Sequence, residues 1–246
     1  MVENIFYLNN TNSLSFKLKE KKTHKAILIS YGNYEFFLKN EYLFTKIISN
    51  QTNNIFIISE AESNFLINIS NHHVWRIFNK NIKVNLKILN LLKNLNFINI
   101  DDALIENDHK IEITLNFISN IKKNIKIIPI IFGKAWNKHL IKFCEFLTPF
   151  ISKKENSFIF LSYFTSKSTN IKKVLKLEEN LKRIFLEKEA SNLNLILENY
   201  KSKKIFPENI NAIMVISSLF KNFEFIDSKI TTNSPEYLIS SSILLT

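Results

Sequence analysis

Glycine is almost absent. Two glycines and four prolines punctuate 246 residues, so few positions adopt a left-handed backbone without steric cost. That scarcity excludes the glycine-rich loops that cradle phosphates and dinucleotides, and it leaves asparagine to serve in many turns. Cysteine is reduced to Cys144, which rules out an internal disulfide framework and suits a reducing compartment. This thiol lies in "HLIKFCEFL", whose apolar residues recur at helical spacing, so the expectation is a buried, inert side chain. No uncharged apolar run approaches the ~20 residues needed to cross a bilayer. The opening "MVENIFYLNN" lacks the basic and apolar regions of a secretion signal. The expectation is a soluble, cytoplasmic protein.

Apolar residues make up 46% of the chain, enough for one sizeable core, and no repeat, linker or charge block marks a boundary. Residues 1–246 therefore read as a single α/β domain. Lysine, isoleucine, asparagine and phenylalanine are heavily used, a pattern of AT-rich codons, so the net charge of +11 reports partly on the genome. The basic clusters "KEKKTHK", "KKNIK" and "KSKK" are short and lack the aromatic and glycine pattern of an RNA-binding surface. Nucleic acid is disfavoured as a partner, and a basic surface that binds nucleic acid or anionic lipid stands as an alternative function.

Apolar runs alternate with helical patterns along the chain. "KAILISY" and "NIFIISE" read as buried strands, separated by a helical stripe of Phe36, Phe37, Leu43, Phe44, Ile47 and Ile48. "NFLINIS" and "VWRIF" are shorter strand candidates. In "IKVNLKILNLLKNL" Asn85 is placed to cap a helix through Leu95, and "NFINI" follows as a short strand. From His109 a helix carries Ile111, Leu115 and Ile118 on one face, and "IKIIPIIFG" reads as a central strand with a bulge or an end near Pro129. "NKHLIKFCEFLTPFI" (helix), "NSFIFLSYF" (strand), a long lysine-and-glutamate helix, "LNLILENY", and a helix starting at Pro207 come next. "FEFIDSKI" and "EYLISSSILL" close the chain as paired strands. This alternation implies a mostly parallel central sheet flanked by helices.

Several strings, taken in order, carry a resemblance. "FYLNNTNSLSFKL" looks like a "WYP" opening, "AILISYGNY" a strand running into "PHAGY", and "IFIISEAES" a strand ending in "GPSH". "VWRIFNKNIKVN" is similar to a "W-x-T-P-L-G" segment with its trailing strand, "DHKIEITLNFI" to "EHSIEVQLPFL", "IKIIPIIFG" to "kivPilvG", and "FIFLSYFTSKS" to "iiaSSDlSHy". These are strings of the Memo family, which includes AmmeMemoRadiSam system protein B and shares its fold with class III extradiol dioxygenases. The resemblance implies a metal site at the carboxyl ends of the sheet strands, built from histidine, cysteine and carboxylate.

At the matching positions this chain departs from the family. Tyr31 and Glu62 replace the two strand-end histidines, Tyr163 and Ser166 replace the later aspartate and histidine, and Asn209 with Ile210 falls where the family has "CG". The resemblance therefore implies a divergent, metal-free and non-catalytic member, with no cofactor, whose degenerate cleft (Tyr31, Tyr34, Glu62, His109, Tyr163, Ser166, Asn209) binds a peptide, a protein or a small ligand. The tyrosines Tyr31, Tyr34 and Tyr163 would then cluster at its mouth. Tyr31 with Glu62 offers two oxygens, short of the six that magnesium or calcium prefers. The competing reading is an enzyme, either a metal-dependent dioxygenase-like oxidoreductase or a hydrolase in which His109, Glu112 and Glu62 act. Against it, Asp108 and His109 also suit a polar helix start.

Overall fold

A computed structural model of the chain describes residues 21–30, 34–63, 65, 67–77, 80–133, 137–163, 168–187, 210–233 and 236–246. The segments "FYLNNTNSLSFKL" and "LNLILENY" and the expected helix start at Pro207 lie outside these. Four strands form a parallel core in the order β7 (Lys126–Phe132), β2 (Asn54–Glu60), β8 (Asn156–Leu161), β1 (Ala26–Ile29). Their side chains are buried on both faces apart from Lys126 and Glu60 at the two strand ends, which is why these segments read as continuous apolar runs rather than alternating ones.

Further strands extend this core on both sides. Beyond β1 lie β10 (Glu236–Leu245) and then β9 (Phe223–Asn233), the expected terminal pair. On the far side, β5 (Lys80–Val84) runs parallel to the start of β7 and carries β4 (Val74–Ile77), while β3 (Ile67–Ile69) runs antiparallel to the end of β7 and carries β6 (Ile98–Ile100).

This split edge accommodates Pro129 without the expected bulge. The Lys126 N–H faces β2, donating to Asn53 O, and alternation sends position 129 toward the opposite edge. There β5 pairs only as far as Ile127 and β3 begins at Ile130. The N–H that proline lacks thus falls in the gap between two partner strands.

The predicted stripe from Phe36 to Ile48 is buried throughout, but it is broken into α1 (Tyr34–Lys39), a 3₁₀ turn (Glu41–Leu43) and α2 (Phe44–Ile47). Asn40 makes the break, its side-chain amide donating to Phe36 O at 2.9 Å. Elsewhere the caps match the sequence. Asn85 accepts from Ile88 N at 3.2 Å and opens α3 (Leu86–Lys93), and Asp101 does the same for α4 (Asp102–Glu106) through Leu104 N. The helices α5 (His109–Ile121), α6 (Asn137–Ile151), α7 (Ile171–Glu187) and α8 (Ile210–Leu219) follow. Among the described residues, no helix is long and apolar enough to cross a membrane.

Two features tie the sheet at its amino ends. Asn85 donates to Asn54, Asn54 to Asn156, and Asn156 to Phe150 O, at 2.6, 2.8 and 3.0 Å. The Lys122 ammonium bonds the carbonyls of Ser49, Asn50 and Thr52, and that of Lys22 bonds Asn156 O and Ser157 Oγ. Amides and ammonium groups here satisfy strand-end groups that would otherwise be buried without partners.

A register shift in β9 opposite Ser242 and Ile243 reverses its alternation. Ser242 Oγ then bonds Asn40 at the end of α1, while Phe225, which pairs with Ile243, lies under Lys182 of α7. Helices α1 and α7 therefore cover opposite faces of the terminal hairpin.

Candidate functional site

The four parallel strands end on one side of the molecule, where open α/β sheets form their binding crevices. Leaving those ends are Ser30 from β1, the loop after Glu60 from β2, Gly133 from β7 and Ser162–Tyr163 from β8. Gly133 is where these loops crowd most closely. A Cβ added there would stand 2.2 Å from Phe65 O and 2.8 Å from Ser63, so the loop carrying Glu62 presses onto this residue and only glycine fits. The Gly133 carbonyl in turn accepts from Asn211 Nδ2 at 3.0 Å, bringing the start of α8 to the same strand end.

Beside β2 opens a cleft of about 460 Å³, lined by Phe37, Ala61, Leu104, Asn107, Asp108, His109, Lys110 and Ile113. Aromatic packing backs its apolar wall. Phe37 packs on Phe44 and Phe117 at 5.7 and 5.3 Å between ring centres, which holds α1 against α5.

Its floor is polar and largely occupied with itself. Asp108, 7% exposed, is the residue before α5. Its Oδ1 accepts from Lys110 N at 2.8 Å and Ile111 N at 3.2 Å. Its Oδ2 accepts from the Ser59 hydroxyl at 2.7 Å and lies 3.4 Å from the Lys110 ammonium, which also donates to Glu60 O. The carboxylate thus satisfies two helix-start N–H groups and a strand-end hydroxyl together.

Of the sequence-predicted residues, His109 lines this cleft. Its side chain is 77% exposed at the rim, with Nδ1 3.5 Å from Glu112 Oε2 one turn on. Glu62 is exposed next to the lining residue Ala61. Tyr163 is buried past the end of β8 and does not line the cleft. Tyr34 opens α1. Tyr31, Ser166 and Asn209 lie outside the described residues. Reading by sequence alone missed Ser59, Lys110, Phe37 and Leu104 as site residues. Asp108 carried a signal, an acid just before an apolar helical stripe, but its link to Ser59 spans 49 positions and left no local trace.

The profile of the family described as Memo-like protein matches residues 6–227. The chain belongs to the Memo-like protein family. A similar solved structure, the crystal structure of an uncharacterized protein JW3007 from Escherichia coli K12, shares 8% identity at a TM-score of 0.53, covering 91% of this chain and 100% of that one. At that identity the likeness is one of fold. No curated protein matches.

The donor chemistry of this Memo-like protein does not fit the transition metal its family resemblance implies. At the positions where the sequence resemblance sets the family's ligands, it carries two phenols, a carboxylate, a hydroxyl and an amide (Tyr31, Tyr163, Glu62, Ser166, Asn209), hard oxygens without an imidazole or thiolate. Its described imidazoles are dispersed. His24 pairs with Glu224 at 2.9 Å, His72 with Glu106, and His109 with Glu112, while His139 stacks on Phe97. Cys144 sits on α6, where burial pushes its thiol up to about 11. Among the described residues no three His, Cys, Asp or Glu side chains gather closely enough to hold a metal ion.

Proposed function

We propose that this Memo-like protein is a non-catalytic, cytoplasmic binding protein whose degenerate cleft takes an apolar group of a peptide, a protein or a small ligand. One observation carries the reading. Phe37, Ala61, Leu104 and Ile113 keep an open, mostly apolar cavity at the crevice, while the acid at its floor is committed to capping α5 and holding Ser59. A carboxylate so engaged is a poor general base, because taking a proton would cost it those bonds. An apolar cavity with a few fixed polar groups at its edge suits ligand capture instead.

The test has two arms. Protein purified after growth with iron, copper and zinc should carry none of them in stoichiometric amount after dialysis. The dye anilinonaphthalene sulfonate should fluoresce on binding the wild-type protein, and Ile113→Trp, which fills the cleft, should abolish that signal while the circular dichroism spectrum is retained. Tightly held metal, or dye binding indifferent to the substitution, defeats the proposal.

The position of His109 at the cleft rim, near Glu112, favours a second reading as a hydrolase. In that case His109→Ala would eliminate a turnover without loss of stability. A variant that keeps the turnover excludes the role.

A further inference from the structure

The outward face of α7 lies on the other side of the sheet from the cleft and, among the described residues, carries exposed side chains. Its inward residues Val174, Leu177, Leu181, Ile184 and Phe185 are buried, with Phe185 against Phe223 at 4.6 Å. At 3.6 residues per turn, Lys172, Lys176, Glu179 and Arg183 share an outward arc of about 60°. All four are exposed, as is Lys173 beside them, and by helix position Glu187 falls between Lys176 and Lys173, so four cations stand against two carboxylates.

Leu175 and Leu186 adjoin one edge of that arc. They are 41% and 62% exposed, and eleven residues apart they fall at nearly the same angle, about 20° from one another. Two leucines beside a cationic stripe gain nothing from a phosphate backbone alone. A bilayer surface rewards both kinds of group: lysine and arginine at anionic headgroups, leucine in the acyl boundary.

We infer that the outward face of α7 is a peripheral docking surface for anionic lipid membranes. The helix lies flat, its cations on the headgroups, with Leu175 and Leu186 as shallow anchors. The attachment is reversible and salt-sensitive, because exposed charges are screened over about a Debye length, ~8 Å at physiological ionic strength.

Sedimentation of the full chain with vesicles tests this. It should pellet with phosphatidylcholine vesicles containing phosphatidylglycerol, stay in solution with phosphatidylcholine alone, and lose binding as salt rises. Reversing Lys172, Lys176 and Arg183 to glutamate should weaken binding at least ~10-fold, given the several-fold contribution of each basic residue near an anionic surface. Leu175→Ser with Leu186→Ser should also weaken binding while leaving its salt dependence unchanged. Thermal melts of both variants establish that they fold.

No pelleting with the anionic vesicles overturns the inference, and so does equal binding by the charge-reversed variant. If binding is unaffected by the leucine substitutions, the face is a general polyanion surface and the lipid assignment is wrong.

Discussion

Replacing Asp108 by alanine removes three things at once: the acceptor for Lys110 N and Ile111 N, the acceptor for the Ser59 hydroxyl, and the charge opposite the Lys110 ammonium. Losing a helix-start cap costs about 1 kcal/mol. Losing a buried hydrogen bond to a charged acceptor costs about 1.5–3 kcal/mol, more when the donor is left unpaired. Together these give roughly 2–4 kcal/mol, and at about 2 °C per kcal/mol for a domain of this size the melting point should fall by about 4–8 °C. Asp108→Asn separates the contributions. Asparagine caps a helix as well as aspartate, so it should recover about half of the loss. Urea unfolding of Ser59→Ala, Asp108→Ala and the double variant supplies the coupling between the two side chains, about 1–2 kcal/mol if they interact as the geometry indicates. A loss below about 1 kcal/mol for Asp108→Ala, or strictly additive effects for the pair, would refute this account of the cleft floor.

Three further outcomes follow from other parts of the molecule. Gly133→Ala forces Phe65 O or the Ser63 backbone to move, so it should destabilise the protein by at least ~2 kcal/mol, in the range of overpacked sites, and a urea midpoint close to wild type would contradict the packing. Burial, aided by repulsion from Lys25, pushes Lys22 down to about 7 from its ordinary 10.5. Between those values the unfolded chain holds a proton that the folded one has released, so this residue makes stability rise with pH. In Lys22→Met the gain in urea midpoint from about pH 6.5 to about pH 9 should shrink, and an unchanged gain would show that another group is responsible. Cys144, its thiol pushed up to about 11 by burial, should react with a thiol reagent far more slowly at mildly alkaline pH in the folded protein than in urea, and equal rates would count against its burial.

The sequence's legibility differed by element. Buried strands announced themselves, because a strand covered on both faces is a continuous apolar run, and β2 falls where "NIFIISE" placed it. The start of α5 was visible in its acid and its 3.6-residue stripe. The break at Asn40 was not, because Phe36, Phe37, Leu43 and Phe44 keep helical spacing across it, while the Asn40 side chain and backbone both bond back to Phe36 O where the first helix ends. Pro129 suggested a bulge, yet whether a missing N–H disrupts a sheet depends on what lies beside it, and here two partner strands leave a gap. The cleft was half visible: His109 stood out as a titratable group, while Phe37, Ala61 and Leu104 come from three separate elements and meet only in the folded chain.

The placement of β1 bears on how the molecule is made. It sits between β8 and β10, pairing with residues 158–161 on one side and 242–245 on the other. A ribosome adding roughly 5–20 residues per second emits the last neighbour of this strand some 10–40 seconds after the strand itself. Throughout that interval "AILI" has no finished sheet to enter, and such a waiting apolar segment is prone to misassociation. Chaperone dependence during synthesis, and slow refolding of the full-length chain in the test tube, are the expected signatures of so non-local a pairing.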